Sequence, residues 1–314
     1  MTEAAAAFYP IGTPGTPWTE KEDQEWKAQT KCQRSYDEQV VQKIKAMDQQ
    51  EWEIVQYGSL SHNPEKYPLY CLKSKEWNSD RPSMLVTGGV HGYETSGVQG
   101  ALLFCQTKAQ EYAGKCNLLV VPCVSPWAYE HIQRWNNDLM DPNRSFVRDD
   151  SSKQTEESKA LMHYIQSTFG LNSFSMHVDC HETTDTDETE FMPAKHAKAG
   201  LPYNGETIPD GFYLVGDSVK QERAFHKAMI DAVARVTHIA PPDGNGNIID
   251  EPVVQEGLIE VPIEKLGLCA SLTNAKYSST TEVYPDSPKA TDEICNQAQV
   301  ACVSAGIDYV LSNP

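Results

Sequence analysis

The stretch SMLVTGGVHGYETSGVQGALLFCQ, residues 83–106, holds a strand, a turn and a helix in sequence. Ser83–Val90 is an apolar run too short for a buried helix and is predicted to be a strand. Gly88 and Gly89 interrupt it, and Thr95–Gln106 has helical spacing. His91 and Glu94 therefore stand at a strand-to-helix junction. There an imidazole and a carboxylate three residues apart can converge on one point. Glycines on both sides let backbone crowd that point without steric cost.

Outward from this unit the same alternation recurs. Asn117–Val121, Phe174–Cys180, Phe212–Val215, Leu268–Leu272 and Thr280–Tyr284 read as strands. Thr155–Phe169 and Ser218–Val236 read as helices, with Gly170 placed to end the first of them. Ser287 and Pro288 would cap a last helix reaching about Leu311. Strands alternating with helices predict an α/β fold: one three-layer α/β/α domain around a mixed, mostly parallel sheet. Residues 1 to about 34 read as a surface arm, and Val40, Val41, Ile44 and Met47 predict a helix near 35–50. The expected division is residues 1–51 as an arm and helix packed on a catalytic domain of residues 52–314.

The 314 residues carry 26 Lys and Arg against 44 Asp and Glu, a net charge of −18. That charge repels phosphate backbones and anionic lipid, so neither nucleic acid nor membrane is expected as a partner. No apolar run approaches the roughly 20 residues that span a bilayer, and the N-terminus does not read as a secretory leader. Nine cysteines without a C-x-x-C pair fit reduced thiols better than a disulfide framework. A cytoplasmic location is the expectation.

His-x-x-Glu alone is weak. His62-x-x-Glu65 has the same spacing but lacks the strand and the glycines. A third ligand candidate is His181, at the end of the strand 174–180. On that strand Phe174, Met176, Val178 and Cys180 alternate with Ser175, His177, Asp179 and His181. The pattern leaves His181 either a ligand at the carboxyl end of the sheet or a solvated histidine opening a polar stretch. Cys180 points to the opposite face, and His177 lies deeper, in a hydrogen-bonded structural role. Two histidines and one carboxylate give three protein ligands and leave a position for water, as in a catalytic zinc site. One Zn²⁺ per chain is expected.

With these residues in order, the chain resembles the zinc metallocarboxypeptidases, the carboxypeptidase A superfamily, over about residues 52–314. The likeness rests on His91-x-x-Glu94, then Arg134 with Asp141-Pro142-Asn143-Arg144, then His181, then Lys276-Tyr277-Ser278-Ser279-Thr280-Thr281-Glu282. It implies that His91, Glu94 and His181 hold zinc and that Asp141 orients the first histidine. It implies that Asn143 and Arg144 grip a substrate's terminal carboxylate, that Arg134 stabilises the developing oxyanion, and that Glu282 is the general base. Taken singly, Arg134 could make an exposed salt bridge and Glu282 could be a solvated strand end. The implied reaction is cleavage of a C-terminal peptide bond by a water that zinc acidifies to a pKa of about 7. Glu282 takes its proton and passes it to the leaving amine.

Two departures matter. No tyrosine lies between Tyr213 and Tyr277 to act as a substrate-closing loop residue; Tyr203 or Tyr213 would have to substitute. The His-Gly-x-Glu and Asp-x-His spellings at 91–94 and 179–181 look more like the aspartoacylase and succinylglutamate desuccinylase branch. Those amidohydrolases act on small N-acyl amino acids and generally carry a β-rich domain after the catalytic glutamate. Here 32 residues follow Glu282 (314 − 282), which favours the compact carboxypeptidase form. The expected partner is thus a peptide or N-acyl amino acid with a free carboxylate. A murein-peptide amidase and a non-catalytic, zinc-dependent binder of peptide termini are the remaining readings.

Overall fold

A computed structural model of the chain describes residues 9–205 and 207–313; the extreme N-terminal part of the arm, 1–8, lies outside the described residues. The strands are β1 (Trp52–Ser59), β2 (Pro68–Ser74), β3 (Ser83–Gly88), β4 (Asn117–Val121), β5 (Met176–Glu182), β6 (Tyr213–Asp217), β7 (Asn247–Ile248), β8 (Glu251–Gln255), β9 (Leu258–Val261) and β10 (Tyr277–Val283). Among the described residues they form one ten-stranded sheet, ordered β1-β2-β4-β3-β5-β10-β6-β9-β8-β7. The central run β4-β3-β5-β10 is parallel. Both margins are mixed or antiparallel. The fold is α/β with a single mixed sheet, as expected.

The helices are α1 (Glu20–Gln29), α2 (Gln42–Lys45), α3 (Thr95–Thr107), α4 (Pro126–His131), α5 (Glu156–Thr168), α6 (Met192–Lys198), α7 (Arg223–Val233) and α8 (Asp292–Ser312). On one face α3, α7 and α8 share a core with Met176, Val178 and Cys180 of β5. On the other, Leu161 and Ile165 of α5 pack against Leu85, Leu119 and Val121. The alternation read on β5 thus sorts its apolar residues to the first face.

Several boundaries differ from expectation. Leu268–Leu272 is not a strand: Cys269–Ser271 forms a 3-10 turn whose backbone serves the site described below. The last helix starts at a Thr291 cap, whose side chain accepts from Ile294 N–H, and not at Ser287-Pro288. The arm carries a helix of its own, α1, behind a Thr19/Glu22 capping box. The helix expected over 35–50 is a wider π-turn at Asp37–Val41 followed by α2. β1 and β2, a hairpin-like antiparallel pair at the sheet margin, went unread because their polar faces blur the apolar run. All nine cysteines are unpaired. Among the described residues no helix is long and apolar enough to cross a membrane.

Candidate metal centre

β3, β5 and β10 lie side by side and end at one level. Gly88 pairs with Cys180, and Glu282 pairs with His181. The carboxyl ends of these strands are where an open parallel sheet presents its ligands. After β3 the chain must turn sharply into α3. Gly89 does this with φ +61, where a side chain would be strained. Gly92 lies so close to α4 that a Cβ on it would sit 1.9 Å from the Ala128 carbonyl carbon. The glycines are therefore what bring His91 and Glu94 down onto the strand ends. Glu182, one residue past His181, accepts from the backbone N–H groups of Thr95 and Ser96 at 3.0 and 2.7 Å. It thereby ties the start of α3 to β5.

His91, Glu94 and His181 are all buried, and one donor atom from each lies within 4.8 Å of the others. Nδ1 of His91 is 2.6 Å from Glu94 Oε1, and Nδ1 of His181 is 2.6 Å from Glu94 Oε2. The opposite ring nitrogens face carboxylates: His91 Nε2 is 2.9 Å from Asp141 Oδ1, and His181 Nε2 is 2.6 Å from Asp179 Oδ2. An ionised carboxylate only accepts, so a hydrogen on each Nε2 answers Asp141 and Asp179, and with the hydrogen there each Nδ1 would offer its lone pair to an ion bound beside Glu94. Glu94 Oε2 is buried and, despite its closeness to His181, is not aligned for any hydrogen bond. Two Nδ1 atoms and the Glu94 carboxylate gathered about one point suit a cation, so the residues present fit a metal ion. The surroundings favour positive charge at this point. Burial opposes charge on His181, yet Glu94 and Asp179 override it and hold its pKa well above the ordinary value.

A second grouping, His177, Asp179 and Cys269, lies deeper and is also buried. Here the Thr87 hydroxyl occupies the middle, donating to Asp179 Oδ1 at 2.6 Å and lying 2.9 Å from His177 Nε2 and 3.6 Å from Cys269 Sγ. This grouping is a hydrogen-bonded brace under Asp179, consistent with a structural role for His177.

The other residues singled out in the sequence line, together with His91, a cavity of about 340 Å³. Asn143 is buried; its side-chain oxygen accepts from Cys269 N–H at 2.7 Å, which leaves the amide nitrogen directed to the site. Arg144 is exposed at the cavity wall, with one Nη1 bond to the Asn143 carbonyl. Arg134 gives Nε to Asp141 at 3.2 Å and Nη1 to Tyr93 and Asp187 at 2.8 and 3.3 Å. Glu282 accepts from the Thr183 hydroxyl at 3.0 Å, and that hydroxyl also meets Tyr213 OH at 2.8 Å. Burial pushes the Glu282 carboxyl up to about 8. Asp141 shows the reverse: burial is overcome by Arg134 and His91, and its pKa falls well below the carboxylate range.

His62 is exposed and its ring lies against Tyr67, far from any such grouping. Tyr213 is fixed on β6 rather than on a loop, and Tyr203 donates to Glu188 on the cavity wall. Tyr93, Asp179, Glu182, Thr183 and Asp187 had no role in the sequence reading. For Asp179 the signal was present in the strand alternation, which puts it on the face of His181. For Asp187, on the turn after β5, nothing in the spacing pointed to Arg134.

The family model of the succinylglutamate desuccinylase/aspartoacylase catalytic domain matches residues 80–201, the span from β3 through His181. No curated protein matches the chain. Among solved structures, a proposed metallopeptidase from Shewanella amazonensis SB2B is similar in fold, with a TM-score of 0.66 at 19% identity, covering 90% of this chain and 98% of that one. A metallo-carboxypeptidase from Burkholderia cenocepacia gives 0.57 at 15% identity, over 94% of this chain and 70% of that one. Bovine thrombin-activatable fibrinolysis inhibitor gives 0.59 at 16% identity, over 92% of this chain and 100% of that one. The chain thus shares the fold of these metallopeptidase and carboxypeptidase structures, and over residues 80–201 it is similar to the succinylglutamate desuccinylase/aspartoacylase catalytic domain.

Proposed function

We propose that the protein is a zinc-dependent carboxypeptidase-type hydrolase, with residues 52–314 as the catalytic domain and residues 1–51 as an arm packed on it. The observation that carries the reading is the convergence of His91, Glu94 and His181 on one point, with Glu282, Arg134 and Arg144 lining the cavity that His91 also lines. An all-nitrogen-and-oxygen set of two histidines and one carboxylate suits one Zn²⁺ with a position left open. Zinc held there would polarise a carbonyl and acidify water.

The chain's own residues supply the rest. Arg144 and the amide nitrogen of Asn143 bind the substrate's carboxylate, the guanidinium meeting it with two parallel hydrogen bonds. Arg134 keeps its Nη2 for the oxyanion while Asp141, Asp187 and Tyr93 hold its other nitrogens in place. Glu282, as the carboxylate, accepts the proton from the attacking water and returns it to the leaving amine. Beyond Glu282 the register partners Thr280, Val215 and Ile259 form an uncharged row along the cavity, which suits a largely apolar terminal side chain. The unpaired cysteines suit a reducing compartment such as the cytoplasm.

The match to the desuccinylase/aspartoacylase catalytic domain over residues 80–201 favours a second reading, hydrolysis of a small N-acyl amino acid by the same residues. A panel separates them. Zinc-loaded protein is offered peptides with free C-termini, the same peptides amidated, and N-acyl amino acids. The first reading expects turnover of free-acid peptides, best with apolar ends, and little of the amides. Turnover confined to N-acyl amino acids establishes the second, and turnover of amidated peptides contradicts both.

A further inference from the structure

Arg34 belongs to the arm and lies outside the stretch that matches the catalytic-domain family. Its guanidinium is half-buried and stacks 3.5 Å above the centre of the Tyr129 ring. Nε donates to the Tyr129 carbonyl at 2.7 Å, Nη1 to the Thr95 hydroxyl at 2.8 Å, and Nη2 to the Gly92 carbonyl. Gly92 directly follows His91, and Thr95 directly follows Glu94. The Gly92 N–H is held as well, by the Gln133 carbonyl at 2.9 Å. The turn between the two candidate ligands is therefore gripped at both polar groups of one residue.

The arm is anchored where it delivers this side chain. Backbone N–H groups of Gln33 and Arg34 donate to the Glu130 carbonyl at 2.9 and 3.2 Å, and Gln33 Nε2 donates to the His131 carbonyl at 2.9 Å. Trp26 of α1 packs edge-on against Trp135, beside Arg134, with ring centres 5.5 Å apart. A partly desolvated cation is costly unless its hydrogen bonds are made, and here they are made to oxygens of neutral groups around the metal turn. Three directed bonds plus stacking need the planar fork of arginine; lysine supplies the charge without that geometry.

We propose that Arg34 is a positioning residue for the metal centre, holding the His91–Glu94 turn in ligand geometry and so making the N-terminal arm part of the site. The proposal rests on the metal-binding half of the function proposed above.

The test measures zinc affinity by chelator competition for wild type, Arg34→Met, Arg34→Lys and Arg148→Met. Denaturant unfolding of each metal-free protein and the visible spectrum of each cobalt-substituted protein are recorded alongside. Arg148 is the matched control, since it also donates to backbone carbonyls, those of Ser271 and Leu272, but not to the metal turn. Arg34→Met should weaken zinc binding about tenfold or more and alter the cobalt bands. Arg34→Lys should fall between it and wild type, and Arg148→Met should bind within about twofold of wild type. Zinc affinity and cobalt bands unchanged in Arg34→Met overturn the proposal, as does an equal loss in Arg148→Met. If Arg34→Met does not fold, wild-type affinity in Arg34→Lys overturns it. A wild-type protein that binds no zinc overturns the metal-centre reading itself, whereas wild-type binding with unaffected Arg34 variants overturns only the role of Arg34.

Discussion

Glu282 of β10 and His181 of β5 are register partners across a parallel strand pair. The Thr183 hydroxyl, two residues past His181, donates to Glu282 Oε2 at 3.0 Å. The pairing sets the proposed base beside a proposed ligand, and it comes from backbone hydrogen bonding rather than from a flexible loop. A site built on strands holds its geometry more closely than one built on loops.

The carboxylates behind the two histidines should matter for metal retention. Asp141 and Asp179 each lie against an Nε2, where they would hold its hydrogen and turn Nδ1 toward the ion. Asp179→Asn and Asp141→Asn should each weaken zinc binding on the order of 10–100-fold, read by chelator competition. Unchanged affinity in both would mean that neither histidine depends on its carboxylate.

Arg144 should read the substrate's carboxylate. Arg144→Ala should lower kcat/KM on free-acid peptides by the equivalent of about 2–5 kcal/mol and erase the preference over amidated peptides. Steady-state kinetics on matched acid and amide pairs checks this. A variant that keeps the preference would assign the carboxylate to another residue.

His226, on α7, should make the fold acid-sensitive. It is buried with Nε2 donating to the Ser278 carbonyl at 3.2 Å, and burial pushes its pKa down from 6.5 to about 4. Between those values the unfolded chain binds the proton and the folded chain does not. Stability is therefore full above about pH 6.5 and declines as pH falls toward 4. From pH 7 to 5 the metal-free wild type should lose about 2 kcal/mol more than His226→Gln, measured by urea unfolding. Parallel losses would mean that His226 titrates normally in the fold.

The parallel centre of the fold was legible because its strands are apolar runs bounded by glycine or polar stretches, as at Ser83–Gly88 and Asn117–Val121. The margins were not, since β8 (Glu251–Gln255) is half-exposed and shows neither a run nor an alternation. Cys269–Ser271 misled because its apolar residues are buried by the site and not by a sheet. For the site, residues carried by spacing or motif order were readable: His91 with Glu94, Asp141 with Asn143. Contacts made across the fold were not. Nothing near Arg34 in sequence points to Gly92, and nothing near Asp187 points to Arg134, because such pairs are set by how distant segments dock.

The most direct test of the account is Glu282→Gln, with zinc content and kcat measured on the same preparation. The substitution keeps the shape and removes the base, while His91, Glu94 and His181 remain to hold the ion. The account predicts zinc content equal to wild type and kcat lower by about 10²–10⁴. Loss of zinc together with activity would make Glu282 a ligand, and activity retained with zinc in place would contradict its role as the base.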